Sequence, residues 1–109
     1  TAKSGGIRPA LHVAAIAQAS GIAVYGGCMF ETSVAHTAGA HLMAAVRDLT
    51  LGCEFYMSTY YAEADIAVSP FPVADGHVIV PSAPGLGVAP DDDKLARYRT
   101  DLLEAVHQG

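Results

Sequence analysis

The stretch Ile22-Ala23-Val24-Tyr25-Gly26-Gly27 decides the class of fold. Its apolar run is too short for a helix, and closure by two glycines is typical of a strand buried on both faces, as in a parallel sheet. A helix is predicted directly before this strand, over residues 8–20, because Pro9 lies in its first turn and Gly21 follows its end. The pattern therefore begins with a helix that leads into a buried strand.

The same alternation continues after the strand. Thr32 or Ser33 can cap a second helix that runs to about Asp48, with a wide apolar stripe at helical spacing, and residues 50–55 indicate another short strand. Alternating helices and strands predict an α/β protein with a parallel sheet. Two strands do not make a stable sheet, so we expect the rest of the sheet to come from polypeptide outside this sequence or from another copy. A doubly wound sheet and a barrel both remain open at this point.

The rest of the chain carries local turn and cap signals. Residues 58–67 are weakly helical, and the turn Ala74-Asp75-Gly76 between short apolar runs predicts a hairpin over residues 71–81. Asp91 is placed to cap a final helix. The apolar stripe predicted for that helix comprises Leu95, Tyr98, Leu102 and Val106.

Composition excludes several classes of function. The 109 residues are 51% hydrophobic with a net charge of −5, and the six Lys and Arg are scattered, which argues against a nucleic-acid partner. The apolar run over residues 22–25, like every other in the sequence, is far shorter than the roughly 20 residues that a membrane span needs. Two cysteines are no disulfide framework. We therefore expect a cytoplasmic protein, and the apolar pattern that starts almost at Thr1 predicts that the sequence begins inside a longer chain.

Four short segments together resemble one enzyme family. They are Lys3–Arg8, Tyr25–Glu31, Leu51–Phe55 and Pro84–Val88, which read KSGGIR, YGGCMFE, LGCEF and PGLGV. In this order and spacing they are similar to the muconate cycloisomerase (muconate lactonizing) branch of the enolase superfamily. Each motif is common by itself, but the four in register cover essentially the whole chain.

The resemblance implies the C-terminal third of an enolase-superfamily (β/α)₈-type barrel. Thr1–Lys3 would be the tail of strand six, Ile22–Tyr25 strand seven and Thr50–Cys53 strand eight. Residues 1–70 would form the last part of the catalytic barrel, and residues 71–109 a hairpin and helix that pack toward the capping domain. The capping domain and strands one to five would lie outside this sequence.

The chemistry implied is the metal-dependent cycloisomerization of cis,cis-muconate or chloromuconate to muconolactone in the catabolism of aromatic compounds. In that family, Mn²⁺ or Mg²⁺ is held by carboxylates on strands three to five, and a lysine on strand two transfers a proton. All of these would lie outside this sequence, so we assign no metal ligand within it and expect the fragment alone to be inactive. The partners expected are a small dicarboxylate substrate, the rest of the same barrel, and further copies, since relatives are commonly octamers.

Glu54 is the predicted catalytic residue. It matches the acid at the end of strand eight, where the family has a proton donor. Its position in the apolar run Leu51–Met57 would disfavour an unpaired charge, which suits an acid. The alternative is a solvated Glu at a strand end. Phe55 and Tyr56 are predicted to wall the substrate pocket, with plain barrel packing as the equal alternative.

Strand seven is followed by further candidates for substrate binding. Cys28 and Met29 are predicted at the rim of the pocket, and Glu31 is either there or in the first turn of the next helix. Lys3 matches the second of two lysines that the family carries on strand six. Since residues three apart on a strand cannot both point inward, Lys3 is left out of the catalytic set.

Two other readings stay open. Another enolase-superfamily enzyme, such as a dipeptide epimerase or o-succinylbenzoate synthase, would use the same barrel. Dipeptide epimerases usually carry an Asp-x-Asp pair near the end of strand eight, whereas Cys53-Glu54-Phe55 stands here, so a substrate without an ammonium group is favoured. The alternative of another class is a non-enzymatic binding or assembly module.

Overall fold

The structure is a computed structural model that describes residues 1–99. In this part of the chain, α1 spans Ile7–Ala19, α2 spans Ser33–Ala45 and α3 spans Asp92–Tyr98. A two-stranded hairpin consists of β1, Val73–Ala74, and β2, His77–Val78. Single 3-10 turns cover Ala2–Ser4 and Ser58–Tyr60.

Helix α1 confirms its predicted stop signal. Gly21 adopts a left-handed φ of 69°, and its N–H donates to the carbonyl of Gln18 at 3.0 Å. The N–H of Ile22 donates to the carbonyl of Ala17 at 2.8 Å, which completes a Schellman motif. The glycine therefore turns the chain sharply at the end of α1 and directs it toward residue 26.

A small apolar core joins α1 to α2. Ala10 and Ala14 from α1 pack with Leu42 and Val46 at the end of α2, and all four are buried. The alanines allow the two helices to approach closely, and burying Leu42 contributes about 2 kcal/mol. This contact holds α1 and α2 side by side behind the segment that runs between them.

The N-terminus of α2 is capped by a distant residue. The Thr32 side chain makes no capping hydrogen bond, so the prediction of a local cap is wrong. Instead, the Asp65 carboxylate accepts the Ser33 N–H at 2.8 Å, the Ala67 N–H at 2.9 Å and the Ser58 hydroxyl. One carboxylate thus fixes the start of α2 and both ends of the loop that follows residue 57.

The buried side of α2 is more polar than its apolar stripe indicates. His36 and Thr37 are almost completely buried, whereas Ala45 is exposed. The buried Thr37 hydroxyl has a hydrogen-bond partner, because it donates to the carbonyl of Ser33 at 2.6 Å. The helix ends at Ala45, three residues before the predicted end, because Val46 is already extended.

The two segments predicted as parallel strands, residues 22–25 and 50–55, are joined by a single bridge next to the first of them. Gly26 and Cys53 form a parallel bridge, while Ile22 and Tyr25 are 61% and 47% exposed within the described residues, so burial of this strand on both faces by polypeptide outside this sequence stays a prediction. Extended backbone becomes a strand only where a neighbour pairs with it along its length. The predicted strand tail Thr1–Lys3 likewise lies in the 3-10 turn Ala2–Ser4, where the backbone bonds locally.

Three predictions concern the chain after residue 57, and the structure confirms two of them, the hairpin and the cap of α3. The hairpin is confirmed, with Asp75 at φ 49° and Gly76 at φ 74° as its two-residue loop, the type I′ geometry. Asp91 caps α3 by accepting the N–H groups of Asp93 and Lys94 at 3.1 Å. The weak helix predicted over residues 58–67 is wrong, since only the turn Ser58–Tyr60 forms.

The stripe predicted for α3 is only partly within the described residues. Leu95 and Tyr98 are 38% and 42% exposed, so this face of α3 is not covered by residues 1–99. Leu102 and Val106 lie outside the described residues. The division between residues 1–70 and 71–109 stays a prediction.

We expect Gly26→Ala to destabilise the full-length protein by about 2 kcal/mol, because overpacking of a tight contact costs 1–3 kcal/mol. A Cβ at position 26 would lie 2.8 Å from the Cβ of Cys53 and closer still to the Met43 sulfur. Gly27→Ala is the matched control, since its Cβ would meet no atom closer than 3.8 Å. Chemical unfolding of both variants measures the difference; equal stabilities would contradict the close-approach argument.

We expect Asp65→Asn to lower the free energy of unfolding at pH 7 by about 2 kcal/mol, because an amide cannot accept all three hydrogen bonds with the strength of a carboxylate. Burial acts to raise the pKa of Asp65, but hydrogen bonds from Ser58, Ala67 and Ser33 outweigh it and hold the pKa below its ordinary value of 3.8. The stabilisation is therefore present above pH 3.8 and is lost as the pH falls through the lowered pKa.

The measurement is chemical unfolding at pH 7 and across the range from pH 5 to the acid limit. Asp48→Asn, which changes an exposed carboxylate, is the control. If Asp65→Asn kept the acid dependence of the unchanged protein, the role given to the carboxylate would be wrong.

Candidate active site

The parallel contact at Gly26 builds the frame of the candidate site. The Gly26 N–H donates to the carbonyl of Gly52 at 3.1 Å, and the Glu54 N–H donates to the carbonyl of Gly26 at 2.8 Å. These bonds hold residues 26 and 52–54 side by side in parallel. Glu54 therefore leaves the bridged pair at the carboxyl end of both segments, where barrel enzymes carry their sites.

A small cavity of about 20 Å³ lies at this end. Its polar lining comes from Thr1, Cys28, Glu31 and Glu54, and α2 contributes Gly39, Leu42 and Met43. Polar residues from three separate places in the sequence thus meet at this cavity. The predicted sites Glu54 and Cys28 are brought together here, and Glu31 joins them.

Glu54 itself is exposed, so the burial expected from its apolar sequence neighbours is wrong for the described chain. Leu51 and Tyr56 are 60% and 48% exposed and do not enclose the carboxylate. The apolar run Leu51–Met57 borders Glu54 along the chain, but enclosure needs side chains from other segments, and residues 1–99 supply them on one side only.

Tyr25 is the residue beside Glu54 that the sequence patterns missed. Burial raises the pKa of the Tyr25 phenol, and a hydrogen bond to Glu54 and the Glu54 charge raise it further. The phenol therefore stays protonated and can donate to the carboxylate. The alternation of side chains along an extended segment could have indicated Tyr25. Tyr25 and Gly27 are two residues apart and share one face, and Gly27 lies opposite Glu54 in the bridged pair.

Cys28 and Tyr56 are directly linked. The Tyr56 N–H donates to the Cys28 sulfur at 2.7 Å, which ties the ends of the two extended segments together beyond the bridge. The Tyr56 ring lies against Phe30 and stacks on Tyr61, with centroid distances of 5.9 and 5.8 Å. Both cysteines are free thiols. The hydrogen bond holds Cys28 against the backbone two residues after Glu54, and Cys28 lines the same cavity as Glu54.

The other two predicted substrate-binding residues are Met29 and Phe55, and Phe55 lines the small cavity together with Glu54. Met29 is 66% exposed. The Phe55 ring packs against the rings of His36 and Phe71, with centroids 5.9 and 5.2 Å apart, which are contacts of a packing residue. Phe55 thus combines packing contacts with a place in the cavity lining, and its function as a wall of the substrate pocket stays a prediction.

His36 is an unexpected buried polar group under the site. It is 0% exposed between Phe55 and Phe71, and its ring nitrogens have no hydrogen-bond partner within residues 1–99. Burial lowers the pKa of this imidazole, although the charges of Glu31 and Asp65 act to raise it. The ring is therefore neutral at pH 7 and serves as part of the packing beneath Phe55.

Two further properties of the described residues bear on function. Within residues 1–99, no group of three or more His, Cys, Asp and Glu side chains is placed to hold a metal ion. None of the helices described here has the length and apolar character required to cross a bilayer. The residues present therefore do not by themselves fit a metal site.

Comparison with known proteins gives consistent matches. Residues 1–94 match the model of the family described as enolase C-terminal domain-like. Muconate cycloisomerase 1-1 of Acinetobacter lwoffii is 40% identical over 93% of this chain and 26% of its own length. A chloromuconate cycloisomerase of Pseudomonas putida is 38% identical over 86% of the chain and 25% of its own length.

A solved structure agrees with this match. The muconate lactonizing enzyme from Klebsiella pneumoniae superposes with a TM-score of 0.82 at 40% identity, over 92% of this chain and 28% of that one. The chain thus spans about a quarter of the length of the curated relatives it matches. With a family model matched over residues 1–94 and relatives aligned along most of its length, the chain belongs to the enolase C-terminal domain-like family.

Proposed function

We propose that the full-length protein containing this chain is a muconate cycloisomerase that converts cis,cis-muconate, or a chlorinated muconate, to the corresponding muconolactone. The observation that carries the proposal is the position of Glu54, directly after the bridged residue Cys53 and on the same small cavity as Cys28 and Glu31. The names of the matched relatives, muconate and chloromuconate cycloisomerase, support the same reaction.

Glu54 is the proton donor in this proposal. In lactonization, one carboxylate oxygen of the substrate adds to a carbon of a double bond, and the neighbouring carbon takes up a proton. A carboxyl group on the open side of the cavity is suited to hold that proton and to release it toward a bound dicarboxylate. Its backbone N–H is held by Gly26 at 2.8 Å, which keeps the main chain of Glu54 fixed during the transfer.

Cys28 and Tyr56 line the substrate side of Glu54 in this proposal, and Met29 stands at the outer rim. The bond from the Tyr56 N–H to the Cys28 sulfur supports a common role, since it holds both residues at the same end of the bridged pair. Phe55 supports the wall from behind through its packing on His36.

The metal ion is proposed to be Mn²⁺ or Mg²⁺ and to be held by residues outside this sequence. Within residues 1–99, no group of three or more His, Cys, Asp and Glu side chains is placed to hold it. When bound, such an ion would stabilise negative charge that develops on the substrate. The remaining barrel, assembly into a homo-oligomer and a cytoplasmic location belong to the same proposal.

We expect Glu54→Gln to lower kcat by about 10²- to 10⁴-fold, the usual contribution of a positioned acid, with a smaller change in KM. Gln keeps the shape of Glu54 but cannot supply its proton. The measurement is lactonization of cis,cis-muconate with Mn²⁺ by the full-length enzyme, followed spectroscopically.

Glu63→Gln is the matched control for that experiment. Glu63 is 73% exposed and pairs with Arg97 at 2.7 Å on the surface, so its loss costs about 1 kcal/mol or less of stability. Its turnover should equal that of the unchanged enzyme. A Glu54→Gln enzyme as active as this control would end the assignment of Glu54 as the acid.

A non-enzymatic module that folds alone is the alternative from another class, and exposed apolar side chains argue against it. Val13, Ile16 and Leu51 are 58%, 68% and 60% exposed, on three different elements of the described chain. Apolar surface left in water contributes nothing to offset the entropy lost on folding. These faces fit better against further parts of a larger protein.

We expect the isolated chain of residues 1–109 to melt without a cooperative transition, or to aggregate, because its small core leaves so much apolar surface uncovered. Circular dichroism during heating measures this. A sharp, reversible transition that is independent of the probe would favour the module instead.

A further inference from the structure

The two sides of the bridged segments have different surroundings. A Cβ at Gly26 would meet Met43 and Cys53, so residues 26 and 53 face α2. Because side chains alternate along extended backbone, Tyr25, Gly27 and Glu54 face the opposite side. The register of the bridge therefore sets Tyr25 and Glu54 on one surface, with Glu54 opposite Gly27 and so offset by two residues from Tyr25.

Gly27 leaves the space in which these two side chains meet. A Cβ built on Gly27 would lie 3.8 Å from Cε1 of Tyr25 and 4.0 Å from Oε1 of Glu54. The ring and the carboxylate thus border the same gap from two sides. Burial, a hydrogen bond to Glu54 and the Glu54 charge all raise the pKa of Tyr25, so the phenol keeps its proton.

We propose that Tyr25 is a positioning residue for Glu54. The Tyr25 phenol donates a hydrogen bond to the Glu54 carboxylate and holds that carboxylate in one orientation at the cavity. This rests on the proposed function, since orientation matters only if Glu54 takes part in proton transfer. Glu54 is exposed and has few other restraints on its side chain, so a single donor on the same surface has a large effect on its orientation.

The test is a double-mutant cycle in the full-length enzyme with cis,cis-muconate and Mn²⁺. Tyr25→Phe removes only the hydroxyl and should lower kcat about tenfold, with KM changed less than about twofold, as for loss of one hydrogen bond to a charged group. In the Glu54→Gln background, Tyr25→Phe should add no further loss.

Tyr60→Phe is the control, because it removes a phenol hydroxyl from a ring that is 69% exposed. Thermal unfolding of each variant separates loss of activity from loss of structure. The proposal is overturned if Tyr25→Phe behaves like Tyr60→Phe, or if its effect multiplies with that of Glu54→Gln. Full activity of Glu54→Gln alone would overturn the proposed function first, and with it this role of Tyr25.

Discussion

The contact of Gly26 with Cys53 is the constraint on which the candidate site depends. Only a residue without a side chain allows the backbone of the first segment to pass this close to the Cβ of Cys53 and the side chain of Met43. The contact sets the register of the two segments, and the register decides which side chains point at Met43 of α2 and which lie on the face shared by Tyr25 and Glu54. Glu54 owes its position to a residue 28 places earlier in the chain, and its chemistry is a consequence of that packing.

The Asp65 carboxylate plays the same part for the surrounding loops. It replaces a local cap on α2 and anchors Ser58 and Ala67 with the same two oxygens. Both devices join positions about 30 residues apart with very few atoms. Because the apolar core is small, the close approach of Gly26 to Cys53 and the hydrogen bonds of Asp65 fix much of the arrangement of the backbone.

The elements that could be predicted are those whose cause is local. The stop of α1 at Gly21, the hairpin at Asp75-Gly76 and the cap Asp91 each follow from a few adjacent residues. The capping of α2 by Asp65 could not be predicted, because its partners lie 32 residues apart. Glu54 was found as a site candidate through motif resemblance, but its exposure and its neighbour Tyr25 depend on the register of two segments, which no local pattern specifies.

The burial of His36 has a consequence for the way this part of the molecule comes apart. Its imidazole lies between the Phe55 and Phe71 rings, without a hydrogen-bond partner in the described chain, and burial lowers its pKa from the ordinary 6.5. A second proton can be accommodated only if the ring reaches water, so protonation favours separation of α2 from Phe71. The stabilisation that comes from the neutral, buried His36 is therefore lost as the pH falls below 6.5, whereas that from Asp65 is lost only below 3.8, so the packing of His36 on Phe55 and Phe71 is the more acid-sensitive of the two contacts.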